Sequence, residues 1–124
     1  MGDSITRGTF VWRRKINAYP AQLQTMLGER FQVQNFGVNG HAAQRTADLS
    51  YWSSDAFQSS TAFRPDVVLI MLGTNDSRGG NWRGVDAFRD DYRELVLHYQ
   101  SLESNPAVWL LTPPALFRVR RSTK

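Results

Sequence analysis

Three short polar stretches contain the residue types that acyl-transfer chemistry needs. They are Gly-Asp-Ser-Ile-Thr at residues 2–6, Asn-Phe-Gly-Val-Asn-Gly-His-Ala-Ala at residues 35–43 and Gly-Thr-Asn-Asp at residues 73–76. Gly-Asp-Ser followed by a β-branched residue is typical of the approach to a nucleophile, and a serine hydroxyl attacks once a base removes its proton. Each stretch alone is also typical of an ordinary turn. Each of the three follows a predicted strand or the start of one. Taken together, they indicate that the three stretches meet in a single cleft.

The apolar pattern supplies strands that would hold these stretches. Pro65 and Asp66 introduce a run over residues 67–72 that is apolar on both faces, which is typical of a central strand in a parallel sheet. Alternation of apolar and polar residues predicts a second strand over 31–38, and residues 107–115 are a further apolar strand halted by two prolines. Ligands bind at the carboxyl ends of parallel strands. We therefore expect the polar stretches to converge at one end of the sheet.

Helical spacing separates the predicted strands. Pro20 stands near the start of a helix predicted over 19–30, and residues 46–58 favour a helix or a broken helix. Apolar residues at steps of three and four predict a strongly amphipathic helix over 84–103. Strands alternating with helices indicate a layered α/β fold. We expect residues 1–124 to form a single domain.

Composition excludes several classes of protein. Hydrophobic residues make up 41% and aromatic residues 12% of the chain, which is typical of a globular domain. Cysteine is absent, which excludes disulfides and thiolate metal sites, and the two histidines lack carboxylates at ligand spacing. No apolar run approaches the roughly 20 residues of a membrane helix. We expect no cofactor, no metal ion and no membrane partner.

Basic residues give a net charge of +4 and cluster at two places. One cluster is Arg13, Arg14 and Lys15, and the other is the C-terminal tail, with Arg118, Arg120, Arg121 and Lys124. A nucleic-acid surface is one interpretation, but no RNP, helix-turn-helix, zinc-finger or phosphate-binding glycine pattern accompanies it. The sequence favours a charged loop and a basic tail, and we expect no nucleic-acid partner.

The three polar stretches, in this order, resemble the SGNH/GDSL family of serine esterases. Three longer stretches are similar to bacterial members related to sialate O-acetylesterases and other carbohydrate esterases: YPAQLQTMLG at 19–28, RPDVVLIMLGTNDSRGGNW at 64–82 and LLTPPA at 110–115. The resemblance implies a three-layer α/β/α fold with a parallel, flavodoxin-like sheet. It also implies that Ser4 is the nucleophile.

The same resemblance implies an oxyanion site with three donors. They are the backbone N–H of Ser4, the backbone N–H of Gly40 and the side-chain amide of Asn75. Glycine at position 40 permits a close backbone approach, and asparagine donates without adding a charge. Asp3 and Asp76 are expected to orient loops through local hydrogen bonds and not to act in catalysis.

One part of the family pattern is missing from the sequence. The family carries an Asp-x-x-His near its C-terminus, in which the aspartate orients the histidine and the histidine takes the serine proton. No Asp-x-x-His occurs here, and the sequence departs from the family at residues 117–124. Only Met1 and Gly2 precede Asp3, whereas the family serine follows the central strand. The resemblance therefore implies an incomplete domain that lacks the first strand and the C-terminal Asp-x-x-His segment.

Neither histidine is an obvious replacement base. His41 follows Gly40 and is one candidate, although an ordinary loop histidine is the favoured interpretation. His98 lies on the long predicted helix and is a poor candidate. Among the tryptophans, Trp109 is expected in the core. The other two of interest, Trp52 and Trp82, are expected in loops near the cleft, where an aromatic ring can pack on a sugar, although ordinary packing is favoured.

The leading hypothesis is a serine esterase that removes small acyl groups, such as acetyl, from carbohydrate-type substrates, with weak or no activity as this isolated chain. The alternative is a non-catalytic remnant of the fold that binds a carbohydrate or another protein. Exposed sheet edges favour a homo-oligomer. Residues 75–77 also fit an N-glycosylation acceptor, and modification there would block Asn75, so we expect a bacterial cytoplasmic setting. A signal peptide lost with the missing N-terminus is left open.

Overall fold

The computed structural model describes residues 1–116, in which short helices alternate with strands. The elements, in chain order, are α1 Ser4–Arg7, α2 Arg14–Asn17, α3 Tyr19–Leu27, a 3₁₀ turn Tyr51–Ser53, α4 Asp55–Ala62, β1 Val67–Ile70, α5 Val85–Gln100 and β2 Ala107–Leu110. Pro20 lies in the first turn of α3, where its missing N–H costs no hydrogen bond. The periodicity thus predicts both α3 and α5, and each helix lies inside its predicted range.

β1 and β2 pair in parallel, as the sequence predicts. On the other side of β1, Gly2 forms isolated parallel bridges to Met71 and to Gly37. Two backbone hydrogen bonds fix this position, from Met71 N to Met1 O at 3.0 Å and from Val38 N to Gly2 O at 2.9 Å. Residues 1 and 2 therefore lie in the middle of the sheet, between β1 and the segment around Gly37.

The core lies on the face of β1 that carries Val68 and Ile70, which are almost fully buried. α5 packs Leu95 and Tyr99 into the same cluster, and both side chains are fully buried. Tyr51 fills the centre, and its hydroxyl donates to a backbone carbonyl at 2.8 Å. Burying an aliphatic side chain of this size contributes about 1.5–3 kcal/mol, so this cluster is what anchors α5 to the sheet.

α3 lies on the opposite side of the sheet, across a groove of about 640 Å³. The groove is lined by Leu23 of α3 and by Val67 and Leu69, the β1 residues that alternate with the buried ones. Helices therefore flank both faces of the parallel strands. The architecture is the α/β fold that the alternation of elements predicts.

The strand predicted over residues 31–38 is wrong. Within it only Gly37 has a bridge partner, which is Gly2. The residues before Gly37 form no regular element, and the side chain of Gln24 binds them instead, accepting from Val33 N at 2.7 Å. Alternation yields a strand only where a second backbone supplies hydrogen-bond partners, and this segment has one such contact.

Two further expectations concern the second half of the chain. Over residues 46–58 the helix is broken, as one alternative predicts, since α4 begins only at Asp55. Trp109 was expected in the core, and this prediction is wrong because its side chain is 64% exposed. Along β2, Trp109 alternates with half-buried Val108, which packs against the core cluster, so the Trp109 side chain lies on the face of the strand away from that cluster.

Within the described residues, no helix has both the length and the apolar character needed to span a bilayer. Two expectations fall outside that part of the chain. They concern the basic tail and the departure from the family pattern at residues 117–124.

Candidate active site

Ser4 is the first residue of α1 and is half-buried. Asp3 caps this helix, because Asp3 Oδ1 accepts from Ile5 N at 2.9 Å. Capping by an aspartate fixes the entry of the chain into a helix and contributes about 1 kcal/mol. The backbone N–H of Ser4 has no acceptor in the described part of the chain, as is usual in the first turn of a helix. That N–H is therefore available to a ligand.

Gly40 lies in a tight turn whose position is set by the first residues of the chain. Val38 N donates to Gly2 O at 2.9 Å, and the side chains of Thr9 and Asn39 hydrogen-bond to each other. Gly40 has a φ of 75°, a left-handed conformation that favours glycine. Its N–H also lacks an acceptor among residues 1–116.

Asn75 follows β1 and is 4% exposed. Its side-chain Nδ2 donates to the carbonyl oxygen of His41 at 3.0 Å and contacts Asp3 Oδ2 at 3.3 Å. His41 is the neighbour of Gly40 in the chain, and Asp3 is the neighbour of Ser4. The structure thus brings the three polar stretches to one place at the end of the sheet.

Asp76 holds the second stretch against the third. It is fully buried, and its two carboxylate oxygens accept from Ala43 N at 2.9 Å and from Gln44 N at 2.8 Å. Hydrogen bonds from backbone N–H groups to a carboxylate are among the stronger ones in proteins. Asp76 therefore orients a loop, as expected, but its hydrogen bonds are long-range in sequence and not local ones.

Asp3 is also buried, with 1% of its surface exposed. Burial raises the pKa of its carboxyl group above the usual value, and the nearby charge of Asp76 acts in the same direction. The hydrogen bond from Ile5 N opposes this effect. Two buried carboxyl groups, those of Asp3 and Asp76, thus lie beside the residues of the site.

Sequence analysis missed two residues that connect the loops of the site. Gln44 is fully buried and Asn81 is 3% exposed. Asn81 Nδ2 donates to Asn75 O at 3.0 Å and to Asp48 Oδ1 at 3.0 Å, and Gln44 Nε2 donates to Asn81 O at 3.1 Å. Nothing in their spacing sets them apart, because Asn81 follows two glycines and is typical of a turn.

The two histidines have different surroundings, and in the described residues neither bonds to a carboxylate. His41 Nδ1 donates to Asn39 O at 2.8 Å, which leaves Nε2 as the acceptor nitrogen. His98 Nε2 bonds to Thr61 Oγ1 at 2.8 Å, and its ring packs 4.6 Å from that of Phe57. Burial lowers the pKa of His98. His98 is therefore a packed residue between α4 and α5.

The two tryptophans expected near the cleft are partly packed. Trp52 is half-buried in the 3₁₀ turn, where its Nε1 donates to Ala43 O at 3.2 Å. The guanidinium of Arg45 lies 3.7 Å from its ring centroid. Trp82 is 42% exposed and packs against Phe88, with the ring centroids 5.7 Å apart. No group of three or more candidate metal ligands occurs within residues 1–116.

The chain is similar to known hydrolases. The chain matches the GDSL-like lipase/acylhydrolase family over residues 1–123. An acetylxylan esterase of Xylanibacter ruminicola is 42% identical to it over 96 residues, which is 77% of this chain. The chain spans 20% of the length of that relative, and no solved structure matches it. The family match covers nearly the whole chain and includes the three polar stretches that meet at Asn75, so this chain belongs to the GDSL-like lipase/acylhydrolase family of hydrolases.

Proposed function

We propose that the site is that of a serine esterase acting on small acyl esters of carbohydrates, acetyl esters above all. The observation that carries this proposal is the position of the Asn75 amide, which contacts residues adjacent to both Ser4 and Gly40. The similarity to an acetylxylan esterase supports the choice of substrate class. The family membership supports hydrolysis as the reaction.

In this proposal the Ser4 hydroxyl attacks the acyl carbon of the ester, and the carbonyl oxygen becomes an oxyanion. The backbone N–H groups of Ser4 and Gly40 and the Asn75 amide donate to that oxygen. In the absence of a protein base, hydroxide takes the serine proton. The leaving oxygen departs and takes a proton from water where it needs one, and water then hydrolyses the acyl-serine to the free acid and Ser4. Preorganised donors of this kind each contribute roughly 3–4 kcal/mol of transition-state stabilisation.

The donors have capacity for such an oxygen. In the described residues the N–H groups of Ser4 and Gly40 have no protein acceptor. The 3.3 Å contact between Asn75 Nδ2 and Asp3 is longer than an ordinary N–H···O hydrogen bond. A substrate oxyanion would therefore compete well for that amide proton, while the bond to His41 O keeps the side chain in place.

The weak element of this machinery is the base. The sequence has two histidines and no Asp-x-x-His, and a serine hydroxyl is a poor nucleophile at neutral pH without a base. In subtilisin, loss of the nucleophile or the histidine alone costs about 10⁶ in rate, while the oxyanion site and binding leave roughly 10³–10⁴ over water. We propose that this isolated chain is a faint esterase.

His41 is the candidate base within the chain. Its bond to Asn39 O places the proton on Nδ1 and leaves Nε2 able to accept one. No carboxylate hydrogen-bonds to His41 in the described structure to stabilise its charged form. His41 therefore lacks the carboxylate partner that orients the histidine of a complete triad.

Hydrolysis of p-nitrophenyl acetate by the purified chain and by Ser4→Ala tests the proposal. The leaving group of this ester needs no protonation, so it suits a site without an acid. We expect a slow rate that rises with pH and that Ser4→Ala abolishes. Ser59→Ala, at an exposed serine of α4, is the matched control and should leave the rate unchanged.

An unchanged rate in Ser4→Ala would refute the nucleophile and favour the alternative, a non-catalytic remnant that binds a carbohydrate or a protein. Rapid turnover of an acetylated sugar would show that the chain has a working base. His41→Ala then decides its source, because loss of that activity assigns the base to His41 and persistence assigns it to a second chain.

A further inference from the structure

One exposed segment combines aromatic and basic side chains. Every residue from Phe10 to Ile16 is exposed; Phe10 is 103% exposed, Trp12 75% and Ile16 55%. Adjacent exposed apolar side chains on a folded protein usually mark a surface that contacts a partner. We call residues 9–17 the aromatic loop. None of its residues belongs to the proposed oxyanion site.

The aromatic loop has a defined shape. Its two ends meet, because a Cβ at Gly8 would lie 2.5 Å from the Ala18 Cβ. Across the loop, Asn17 Nδ2 donates to Trp12 O at 2.8 Å. Phe10 has a φ of 66°, which is costly for a bulky side chain. The loop thus presents its side chains from a closed backbone frame, which lowers the entropy lost when a ligand binds.

The positive charge of this region is not balanced by nearby acids. The sequence has no Asp or Glu between Asp3 and Glu29, an interval that contains Arg7, Arg13, Arg14 and Lys15. In the described part of the chain none of these four forms an ion pair. The guanidinium of Arg13 lies 5.2 Å from the ring centroid of Trp12. Charge and flat apolar surface are therefore presented together, which suits an anionic ligand with an apolar face.

The aromatic loop is continuous with the proposed active site. Thr9 N donates to the carbonyl oxygen of Ser4 at 3.0 Å, and the Thr9 side chain bonds to that of Asn39, the neighbour of Gly40. A ligand that binds on this loop therefore lies beside the proposed active site and not on a remote face of the protein. A polymer is the kind of substrate that can occupy both places at once.

We propose that the aromatic loop binds an acidic polysaccharide, a sugar polymer that carries carboxylate groups, beside the ester that Ser4 attacks. The C–H face of a pyranose ring is flat and apolar, so it packs on Phe10 and Trp12. Carboxylates pair with Arg13 and Arg14, whose planar guanidinium groups match them in geometry. The inference rests on the proposed function, because the carbohydrate ester is what places a sugar polymer at the site. Nucleic acids and anionic membranes share the negative charge, but neither is a carbohydrate ester.

Binding of deacetylated glucuronoxylan tests this inference without catalysis. The affinity is measured by calorimetry with the purified chain and with Ser4→Ala, and the comparison ligand is the same polymer after its carboxyl groups are reduced to alcohols. We expect reduction to weaken binding about tenfold, and binding of the acidic polymer to weaken as salt rises. Phe10→Ala with Trp12→Ala, and Arg13→Gln with Arg14→Gln, should each cost about tenfold or more.

Trp109→Ala and Arg30→Gln are matched controls, because both residues are exposed and lie outside the aromatic loop; their affinity should stay unchanged. Equal binding of the acidic and reduced polymers would overturn the proposal, as would equal losses in the control variants. Tighter binding of a single-stranded RNA or of phosphatidylglycerol vesicles would also overturn it. Binding that persists in a chain without Ser4-dependent activity would refute the esterase proposal while supporting the loop as a polysaccharide site.

Discussion

Asn75 shows how a single buried side chain can join three distant parts of a sequence. Its amide contacts the residue before Ser4 and the residue after Gly40, and Asn81 holds its backbone carbonyl. The three polar stretches were predictable from sequence because their residue types and order are specific. The supporting role of Gln44 and Asn81 was not, since the groups they bind lie far away along the chain and turn residues carry no periodic signal.

Removal of the Asn75 amide should reduce catalysis more than binding. Asn75→Ala is expected to lower kcat for p-nitrophenyl acetate by about 10²–10³, with a smaller change in KM, because an oxyanion donor acts mainly in the transition state. Steady-state kinetics at high enzyme concentration measures both values. Ser77→Ala, at an exposed serine in the same turn, is the control. A change confined to KM would contradict the assignment.

Asp3 should make the free energy of unfolding depend on pH. Burial raises its pKa in the folded chain. Below about pH 3.8 the carboxyl group is protonated in both the folded and the unfolded chain. Above that pH the group ionises more readily in the unfolded chain, which lowers the free energy of unfolding. The unmodified chain therefore loses stability relative to Asp3→Asn as pH rises from 3 through the raised pKa. Urea denaturation of both proteins over this range measures the difference, and Asp66→Asn, at an exposed carboxyl, should give none.

At the scale of elements, the prediction succeeded where the pattern is local. α5 formed because apolar residues recur at helical spacing, and β1 paired with β2 in parallel because both are short apolar runs separated by a helix. The segment at 31–38 has an equally clear alternation, but it has a strand-like contact only at Gly37. Whether such a segment becomes a strand depends on the backbone beside it, which its own sequence does not specify. The exposure of Trp109 likewise depends on what packs on its face of β2, which the local sequence does not specify.

Asp76 should be a large contributor to stability, since it is the buried connection between two loops. Asp76→Ala leaves the N–H groups of Ala43 and Gln44 buried without their acceptor, and each unsatisfied group costs about 1–3 kcal/mol. We expect a loss of roughly 2–4 kcal/mol of unfolding free energy, measured by urea denaturation. Asp66→Ala, at an exposed position, should change it by less than about 0.5 kcal/mol. Equal losses would contradict this role for Asp76.

At the scale of the whole molecule, apolar surface remains uncovered on both faces of the sheet. One groove lies beside α3, and a second, of about 680 Å³, lies between α5 and β2 and is lined by residues such as Phe88 and Leu110. β2 has Trp109 and Leu110 at 64% and 57% exposure. An exposed apolar edge strand is a template for pairing with another chain.

We therefore predict that the chain associates with itself at high concentration. Trp109→Lys should reduce this association, because a charged residue on an edge strand opposes edge-to-edge pairing. Sedimentation velocity over a range of concentrations measures the change in mass. Trp12→Lys is the comparison and should leave the association unchanged, since Trp12 is also well exposed, at 75%, but is far from β2 in sequence and lies in a loop. A compact monomer at all concentrations in the unmodified chain would refute the prediction.

The bond between the first residue and β1 has a consequence for the order of events during synthesis. The amino group of Met1 donates to Leu69 O, across 68 residues of sequence. Met71 N donates in turn to Met1 O. A ribosome adds roughly 5–20 residues per second, so the segment carrying Ser4 waits about 3–14 s for its partner strand to be made. Contacts of such long range also slow folding after release. Ser4, the proposed nucleophile, is thus made before β1 and can reach its place in the sheet only after β1 has been made.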